Sequence, residues 1–138
     1  EHCICCAKEA AARGFPDRMV LACLLHDASE CYMSDVPTPF KKQLPEYEER
    51  EERLLRMIYE KFLDSALTEE EQEQLDEIDH ALVLYDLEVL LKEKQQEEKP
   101  ELRIELDYTV CSFDVAEAEY LQIFRKYYEN LQRDKGRS

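Results

Sequence analysis

Glycine and proline are scarce in this chain, whose 138 residues include 2 glycines and 5 prolines. A fold rich in β-strands needs many tight turns, and tight turns draw heavily on these two residues. Apolar residues also recur at helical spacing through most of the sequence. We therefore predict an all-α fold, built as a compact bundle of about five to six helices.

The length fits one domain that spans residues 1–138. No repeat, low-complexity block or long linker divides the sequence. The first residue is not methionine, and the first residues already have a helical pattern. We therefore expect that one or more N-terminal helices precede this segment in the complete protein.

The first two predicted helices are rich in apolar residues. Residues 1–13 form the first, which should end at Gly14 and Pro16. Asp17 is expected to cap the second, residues 18–27, which is apolar nearly all round and is therefore predicted to be central. Three prolines interrupt the segment that follows, so we predict a loop there.

Three amphipathic helices are predicted for the remainder. The third begins near Glu46, and the fourth begins at a capping box formed by Thr68 and Glu71. Asp114 and Glu117 are expected to cap the last helix. The residues predicted to face the core are Leu54, Leu55, Ile58 and Phe62 in the third helix, Leu75, Ile78, Leu82, Tyr85 and Val89 in the fourth, and Ala116, Tyr120, Ile123, Phe124, Tyr127 and Leu131 in the last.

The formal net charge of −15 limits the partners of this protein. Nucleic-acid polymers and anionic membranes both attract clustered lysine and arginine, so we expect neither as a partner. No apolar run reaches the roughly 18 residues that span a bilayer, and no signal peptide is visible, so we expect a cytoplasmic protein. A small phosphate ligand is compatible with this charge, because a bound divalent cation can dominate the local field.

The six cysteines do not form a paired C-x-x-C pattern, and several lie on apolar helical faces. We expect them to be reduced and buried as small hydrophobic residues. A zinc site made by Cys3, Cys5 and Cys6 is the alternative, although that spacing is unusual for structural zinc.

Histidine and aspartate residues form the strongest candidate site. His26 and Asp27 are adjacent at the end of the second predicted helix, and His2 lies on the first. Asp79 lies on the apolar face of the fourth helix, where a carboxylate needs a partner such as a metal ion. Two imidazoles and two carboxylates suit one divalent transition metal, Mn²⁺, Co²⁺, Fe²⁺, Ni²⁺ or Zn²⁺, with Mg²⁺ as a further option.

Three assignments stay open at this point. Asp76 would replace Asp79 as a ligand if the register of the helix were different. His80 points away from the face that carries Asp79, so we expect a structural role for it. Asp35 could simply cap the proline-containing turn that follows it.

The order of these residues resembles that of the HD superfamily of metal-dependent phosphohydrolases. His2 in EHCICCA, His26 and Asp27 in LLHDASE, and Asp79 in EIDHALVLYD match the four ligand positions of that superfamily. The sequence HDASE followed by D-x-P-T-P-x-K is similar to the bacterial 5′-deoxynucleotidases of the superfamily. The shared pattern covers roughly residues 1–90.

The resemblance implies a role for each matching residue. An arginine that contacts the phosphate precedes the first histidine in that family, and none precedes His2 here. The metal would be bound by His2, His26, Asp27 and Asp79. The catalytic residues would be Glu30, as the general acid or base, and Asp27. The substrate would contact Asp35, Thr38, Lys41 and Asp86.

We therefore predict a metal-dependent phosphohydrolase that acts on a small phosphomonoester, a nucleoside 5′-monophosphate above all. One alternative is an HD hydrolase of another phosphate ester or of a nucleotide polyphosphate. Another is a non-catalytic HD domain that binds a nucleotide or a protein. The aromatic residues of the last helix could also support a homodimer.

Overall fold

The computed structural model describes residues 2–28, 45–91, 100–106 and 112–136. Every regular element within these ranges is an α-helix, which confirms the predicted all-α bundle. No helix among these residues is both long and apolar enough to cross a membrane. The helices are α1 (His2–Ala12), α2 (Asp17–Leu25), α3 (Pro45–Leu63), α4 (Glu69–Leu91) and α5 (Phe113–Gly136).

Helix α2 is the centre of the bundle, as its apolar sequence predicted. All residues from Met19 to Leu25 are buried. The helix packs against each of the other four described helices. It also receives a hydrogen bond from α5, since the hydroxyl of Tyr120 donates to the carbonyl of Leu24 at 3.0 Å. Burial of each large apolar side chain stabilises the fold by about 1.5–3 kcal/mol, so this helix carries much of the core.

The turn between α1 and α2 depends on Gly14, whose φ of +83° favours glycine. The amide of Gly14 donates to the carbonyl of Ala11, and that of Phe15 donates to Ala10. These bonds satisfy carbonyls at the end of α1, as expected for a left-handed C-terminal turn. Because the connection is short, α1 and α2 run antiparallel, and the start of α1 lies beside the end of α2.

Two predicted helix caps are wrong. Pro16, with φ −59° and ψ 156°, precedes α2 in the cap position, and Asp17 is the first helical residue. At the start of α5, the side-chain oxygen of Ser112 accepts from the amide of Val115 at 3.3 Å, so Ser112 replaces Asp114 as the cap. Both aspartates instead lie in a first turn, where a negative charge complements the helix dipole.

The capping box at the start of α4 is confirmed. The amide of Glu71 donates to the hydroxyl oxygen of Thr68 at 3.1 Å. The amide of Thr68 donates in return to the carboxylate of Glu71 at 3.0 Å. Two backbone donors that no helical carbonyl could satisfy are thereby paired.

The predicted apolar faces largely pack onto the core. An aromatic cluster of Phe62, Phe124 and Tyr128 joins α3 to α5, with ring centroids 5.2–5.8 Å apart. Val89 differs from the prediction, because it is 44 % exposed and α4 extends past the buried part of the core. The predicted residues that do pack in the core are Leu55, Ile58, Phe62, Leu75, Ile78, Leu82, Tyr120, Ile123, Phe124, Tyr127 and Leu131.

Glu9 is a fully buried charged residue of α1. Its carboxylate accepts from Nε of Arg13 at 2.9 Å and from the amides of Arg103 and Ile104 at 2.8 Å and 3.2 Å. A buried carboxylate is tolerated only when it is paired and hydrogen-bonded in this way. Glu9 therefore attaches the segment of residues 100–106 to α1.

Arg18 in the first turn of α2 joins three elements. Its Nε donates to the carboxylate of Glu71 at 2.8 Å. Its two terminal nitrogens donate to the carbonyls of Leu63 and Ala66 at 2.9 Å and 2.8 Å. The guanidinium group thus satisfies the C-terminal end of α3 and supports the capping box of α4.

We expect Arg18→Ala to lower the free energy of unfolding by about 2 kcal/mol, because it leaves carbonyls and a half-buried carboxylate without their donor. Chemical denaturation with circular dichroism measures the change. Arg53→Ala is the matched control, since Arg53 and Glu49 form an exposed pair, and it should cost less than about 0.5 kcal/mol. Equal losses in the two variants would contradict the role of Arg18.

The contribution of the Arg18–Glu71 ion pair to the free energy of unfolding should also depend on pH. Burial alone would raise the pKa of Glu71, but hydrogen bonds from Arg18 and Thr68 outweigh burial and lower it. A carboxyl whose pKa is lowered by folding stabilises the protein above its unfolded pKa and loses that effect as pH falls. The difference in stability between wild type and Arg18→Ala should therefore shrink below about pH 4.3. A constant difference down to pH 2.5 or so would contradict this assignment.

Candidate metal centre

Two histidines meet where the start of α1 lies beside the end of α2. His2 is the first residue of α1, and His26 directly follows α2. The centroids of their imidazole rings are 5.7 Å apart. The antiparallel packing of the two helices therefore brings together residues that are far apart in sequence.

Asp79 of α4 contacts both histidines. Its Oδ1 atom lies 2.5 Å from Nε2 of His2 and 3.2 Å from Nε2 of His26. Its neighbours Ile78 and Leu82 are buried in the core, so the backbone of α4 is held firmly at this position. One carboxylate oxygen and two imidazole nitrogens, which belong to three different parts of the fold, therefore lie close together.

The orientation of His26 is fixed by a backbone group. Its Nδ1 lies 2.6 Å from the carbonyl oxygen of Cys23 and donates a hydrogen bond to it. With Nδ1 donating to this carbonyl, Nε2 is the nitrogen that faces Asp79, to which it donates when protonated and from which a cation would displace the proton. The side chain is 8 % exposed, so water competes little for this nitrogen.

The orientation of His2 depends on a second carboxylate of α4. Nδ1 of His2 lies 3.3 Å from Oδ2 of Asp86. Asp86 and Asp79 are seven residues apart, which places them on the same face of the helix. A carboxylate behind a histidine in this way fixes the ring and strengthens its outer nitrogen as a ligand. The predicted contact of Asp86 with substrate stays a prediction.

The charges of the three residues are strongly coupled. Burial would raise the pKa of Asp79, but hydrogen bonds from His2 and His26 outweigh it and hold that pKa far below its usual range. The hydrogen bond to Asp79 raises the pKa of His2. Burial lowers the pKa of His26, yet contacts with Asp79 and Cys3 raise it overall to about 11. A cation that binds here must displace protons from the imidazoles.

Two thiols of α1 also lie at this meeting point. Sγ of Cys6 is 3.5 Å from Nε2 of His2. Sγ of Cys3 is 3.5 Å from Oδ2 of Asp27 and 3.8 Å from Nδ1 of His26. The sequence held a signal for Cys6, because His2 and Cys6 are four residues apart and share one helical face. Cys6 was nevertheless predicted to be a core residue.

The donor set fits a metal ion. One ligand atom from each of His2, Cys6, His26 and Asp79 can be chosen so that all lie within 4.8 Å of one another. Atoms bound to one ion at about 2.0–2.3 Å are separated by about 3–4 Å. The His26–Asp79 and His2–Cys6 distances of 3.2 Å and 3.5 Å have this spacing, whereas Nε2 of His2 and Oδ1 of Asp79, at 2.5 Å, are hydrogen-bonded and would have to separate. The imidazole and carboxylate groups expected from the sequence therefore do converge from separate helices.

Asp27 contacts the same nitrogen of His26 as Asp79 does. Its Oδ2 lies 3.4 Å from Nε2 of His26, and the residue forms a second donor group with Cys3 and His26. Its side chain is 39 % exposed, close to the 37 % of Asp79. The predicted role of Asp27 as a ligand stays a prediction.

The hydroxyl of Tyr59 on α3 was not expected near the site. The residue is buried, and the hydroxyl has no hydrogen-bond partner among the described residues. Burial raises the pKa of Tyr59, and the negative charge of Asp27 raises it further. A buried, unsatisfied hydroxyl beside the centre is a suitable partner for a water molecule or a substrate oxygen.

The remaining predicted residues are placed as follows. Asp76 is exposed and accepts a hydrogen bond from Nε2 of Gln72 at 2.9 Å. Asp79 is the residue that contacts both histidines, and its role as a metal ligand stays a prediction. His80 is exposed, and neither donor group among the described residues includes it or Cys5. The predicted site residues Glu30, Asp35, Thr38 and Lys41 lie outside the described residues.

We expect Asp79→Asn to weaken the binding of a divalent transition metal by more than about 100-fold, because the carboxylate shared by both histidines is lost. Isothermal titration and elemental analysis after dialysis measure this effect. Asp76→Asn, on the exposed side of the same helix, should bind metal as the wild type does. Unchanged metal content in Asp79→Asn would exclude this centre.

We expect Asp86→Asn to weaken metal binding by about 10–100-fold, because the outer-sphere carboxylate behind His2 loses its charge. Thermal unfolding of the metal-free protein should change little, which separates this effect from loss of folding. Glu77→Gln on the exposed face of α4 is the matched control. If the two variants bind metal equally well, Asp86 does not support His2.

The comparisons with known proteins agree with this geometry. A family model described as HD domain matches residues 2–120. The uncharacterized protein YfdR of Escherichia coli (strain K12) is 34 % identical over 62 residues, which cover 45 % of this chain. The chain spans about a third of the length of that relative, 32 %. No solved structure matches the chain. Since the family model covers most of the sequence, the chain belongs to the HD domain family.

Proposed function

We propose that this domain is a metal-dependent phosphohydrolase that acts on a small phosphomonoester, specifically a nucleoside 5′-monophosphate. The observation that carries the proposal is the convergence of His2, His26 and Asp79 from three helices on one point. Membership in the HD domain family supports the general class of chemistry. The choice of a nucleoside monophosphate depends on the resemblance of the HDASE and PTP segments to nucleotidases.

Some residues of the chain would bind the metal ion, and others would orient the ligand side chains. His2 and His26 would hold the ion through Nε2, with Asp86 and the carbonyl of Cys23 fixing their rings. Asp79 would supply the central carboxylate. A divalent ion held there supplies charge neutralisation for the phosphoryl group and lowers the pKa of water.

Asp27 would contact the ion, the attacking water or the substrate, since its carboxylate lies 3.4 Å from Nε2 of His26. Glu30 follows Asp27 by three residues and is the proposed general acid or base. Asp35, Thr38 and Lys41 would contact the sugar and phosphate. The site would thus combine metal ligands from the helices with substrate contacts from the sequence that follows Asp27.

The charge of the protein favours a monophosphate over a polyphosphate. A net charge of −15 repels anionic ligands, so each additional phosphate needs further cationic groups to offset it. The segment after His26 offers only Lys41 and Lys42 before the glutamate-rich helix α3. One metal ion with few lysines matches the smaller charge of a monoester.

We expect the purified protein with Mn²⁺ or Co²⁺ to release inorganic phosphate from one or more nucleoside 5′-monophosphates. A panel of mono-, di- and triphosphates, scored separately for phosphate and pyrophosphate, measures the specificity. Glu30→Gln should lower turnover by about 10²–10⁴-fold, as expected for loss of a general acid or base, and should retain its metal. Glu46→Gln, at the exposed start of α3, should keep full turnover.

Each outcome of the panel has a distinct meaning. Release of pyrophosphate would replace the proposal with a nucleotide polyphosphate hydrolase. A metal-loaded protein that releases neither product but binds nucleotides would be a non-catalytic domain. Full activity of Glu30→Gln would remove that residue from the proposed mechanism.

A further inference from the structure

The thiol of Cys6 is buried against the predicted ligand His2. We propose that Cys6 Sγ is a fourth ligand of the same metal ion, and that this thiolate makes the centre prefer zinc, ferrous or cobaltous ions over Mg²⁺ and Mn²⁺. The inference deepens the proposed function, because it rests on the same metal centre. Cys6 would add a sulfur ligand to the imidazole nitrogens and the carboxylate oxygen.

Two distances at the centre match this coordination, and a third, from Nε2 of His2 to Oδ1 of Asp79 at 2.5 Å, is a hydrogen-bond distance that would lengthen when an ion replaces the proton between them. A tetrahedral ion with bonds of about 2.0–2.1 Å to nitrogen and about 2.3 Å to sulfur places those two atoms about 3.6 Å apart. Sγ of Cys6 and Nε2 of His2 are 3.5 Å apart. Nε2 of His26 and Oδ1 of Asp79, at 3.2 Å, have the spacing of an imidazole and a carboxylate on one ion.

The position of Cys6 is fixed by the helix that carries it. His2 and Cys6 are one turn apart on α1, so their side chains point to the same side. Cys6 is 1 % exposed, and its neighbour Ala7 is fully buried against the rest of the core. Core packing explains a buried thiol, and the one-turn spacing explains its contact with His2. The observation that supports a ligand role is that the four donors of His2, Cys6, His26 and Asp79 all lie within 4.8 Å of one another.

The binding step involves no change of oxidation state. The S–H bond of Cys6 breaks, its proton passes to solvent, and the thiolate forms a bond to the divalent ion. Soft thiolate ligands favour zinc and related ions, whereas Mg²⁺ and Mn²⁺ favour oxygen ligands. With two imidazoles, one carboxylate and one thiolate bound, the ion would be four-coordinate, and water or substrate would bind by expansion to five ligands.

Cobalt substitution tests this ligand without any assay of turnover. A Co²⁺–thiolate bond gives an intense charge-transfer absorption band in the near ultraviolet, which nitrogen and oxygen ligands do not give. We expect this band in the wild-type protein and its loss in Cys6→Ala. Cys5→Ala is the matched control, because Cys5 is on the same helix and outside both donor groups, and it should keep the band.

Two further variants make the test specific. Cys3→Ala should also keep the band, since Cys3 belongs to the second group with His26 and Asp27. Cys6→Ser should lower the affinity for Zn²⁺ by at least about tenfold and change the affinity for Mn²⁺ much less. Circular dichroism and thermal unfolding of each metal-free variant show whether the helices remain folded, so loss of the band cannot be confused with loss of structure.

The results separate this inference from the proposed function. Cobalt-loaded protein without the band, or a band lost in Cys3→Ala but kept in Cys6→Ala, would overturn the assignment of Cys6 and leave the phosphohydrolase proposal intact. A band lost only in Cys6→Ala supports the inference even if no phosphate is released. Failure of folded protein to bind cobalt would overturn both.

Discussion

The structure depends on one electrostatic constraint, the presence of Asp79 on the core side of α4. Its side chain is half-buried, at 37 % exposure, and its partners come from the ends of the two helices packed beside it. Its contacts with His2 at 2.5 Å and His26 at 3.2 Å satisfy it in the described structure. The same arrangement leaves two oriented imidazole nitrogens and a carboxylate oxygen at one point, which is the requirement for a metal centre.

The rest of the bundle holds these groups in place. The turn at Gly14 sets α1 antiparallel to α2, so that His2 and His26 meet. Arg18 joins α2 to α3 and α4 at the opposite end of α2, which fixes the helices that carry His26 and Asp79. Glu9 holds residues 100–106 against α1. A precise site requires such rigid support, because small displacements of ligands weaken binding sharply.

The chemistry of the centre is more varied than a set of histidines and aspartates. Cys6 and Cys3 bring sulfur to within 3.5 Å of His2 and Asp27 respectively. Asp27 contacts His26, and the buried hydroxyl of Tyr59 lacks a partner among the described residues. In the proposed function, such groups would orient water or a phosphate ester at a bound ion.

The sequence alone determined the helical class, the central place of α2 and the capping box of Thr68 and Glu71, because helical periodicity and cap chemistry are local properties. It grouped His2, His26 and Asp79 through their resemblance to the ligand order of the HD superfamily. It misassigned two caps, since Pro16 and Ser112 compete for positions that local propensity cannot rank. It also predicted that Val89 would face the core. Only the tertiary structure decided that Cys6 contacts His2, that Asp86 lies behind His2, and that Asp27 joins a different donor group. These are contacts between helices, and their distances depend on packing rather than on sequence spacing.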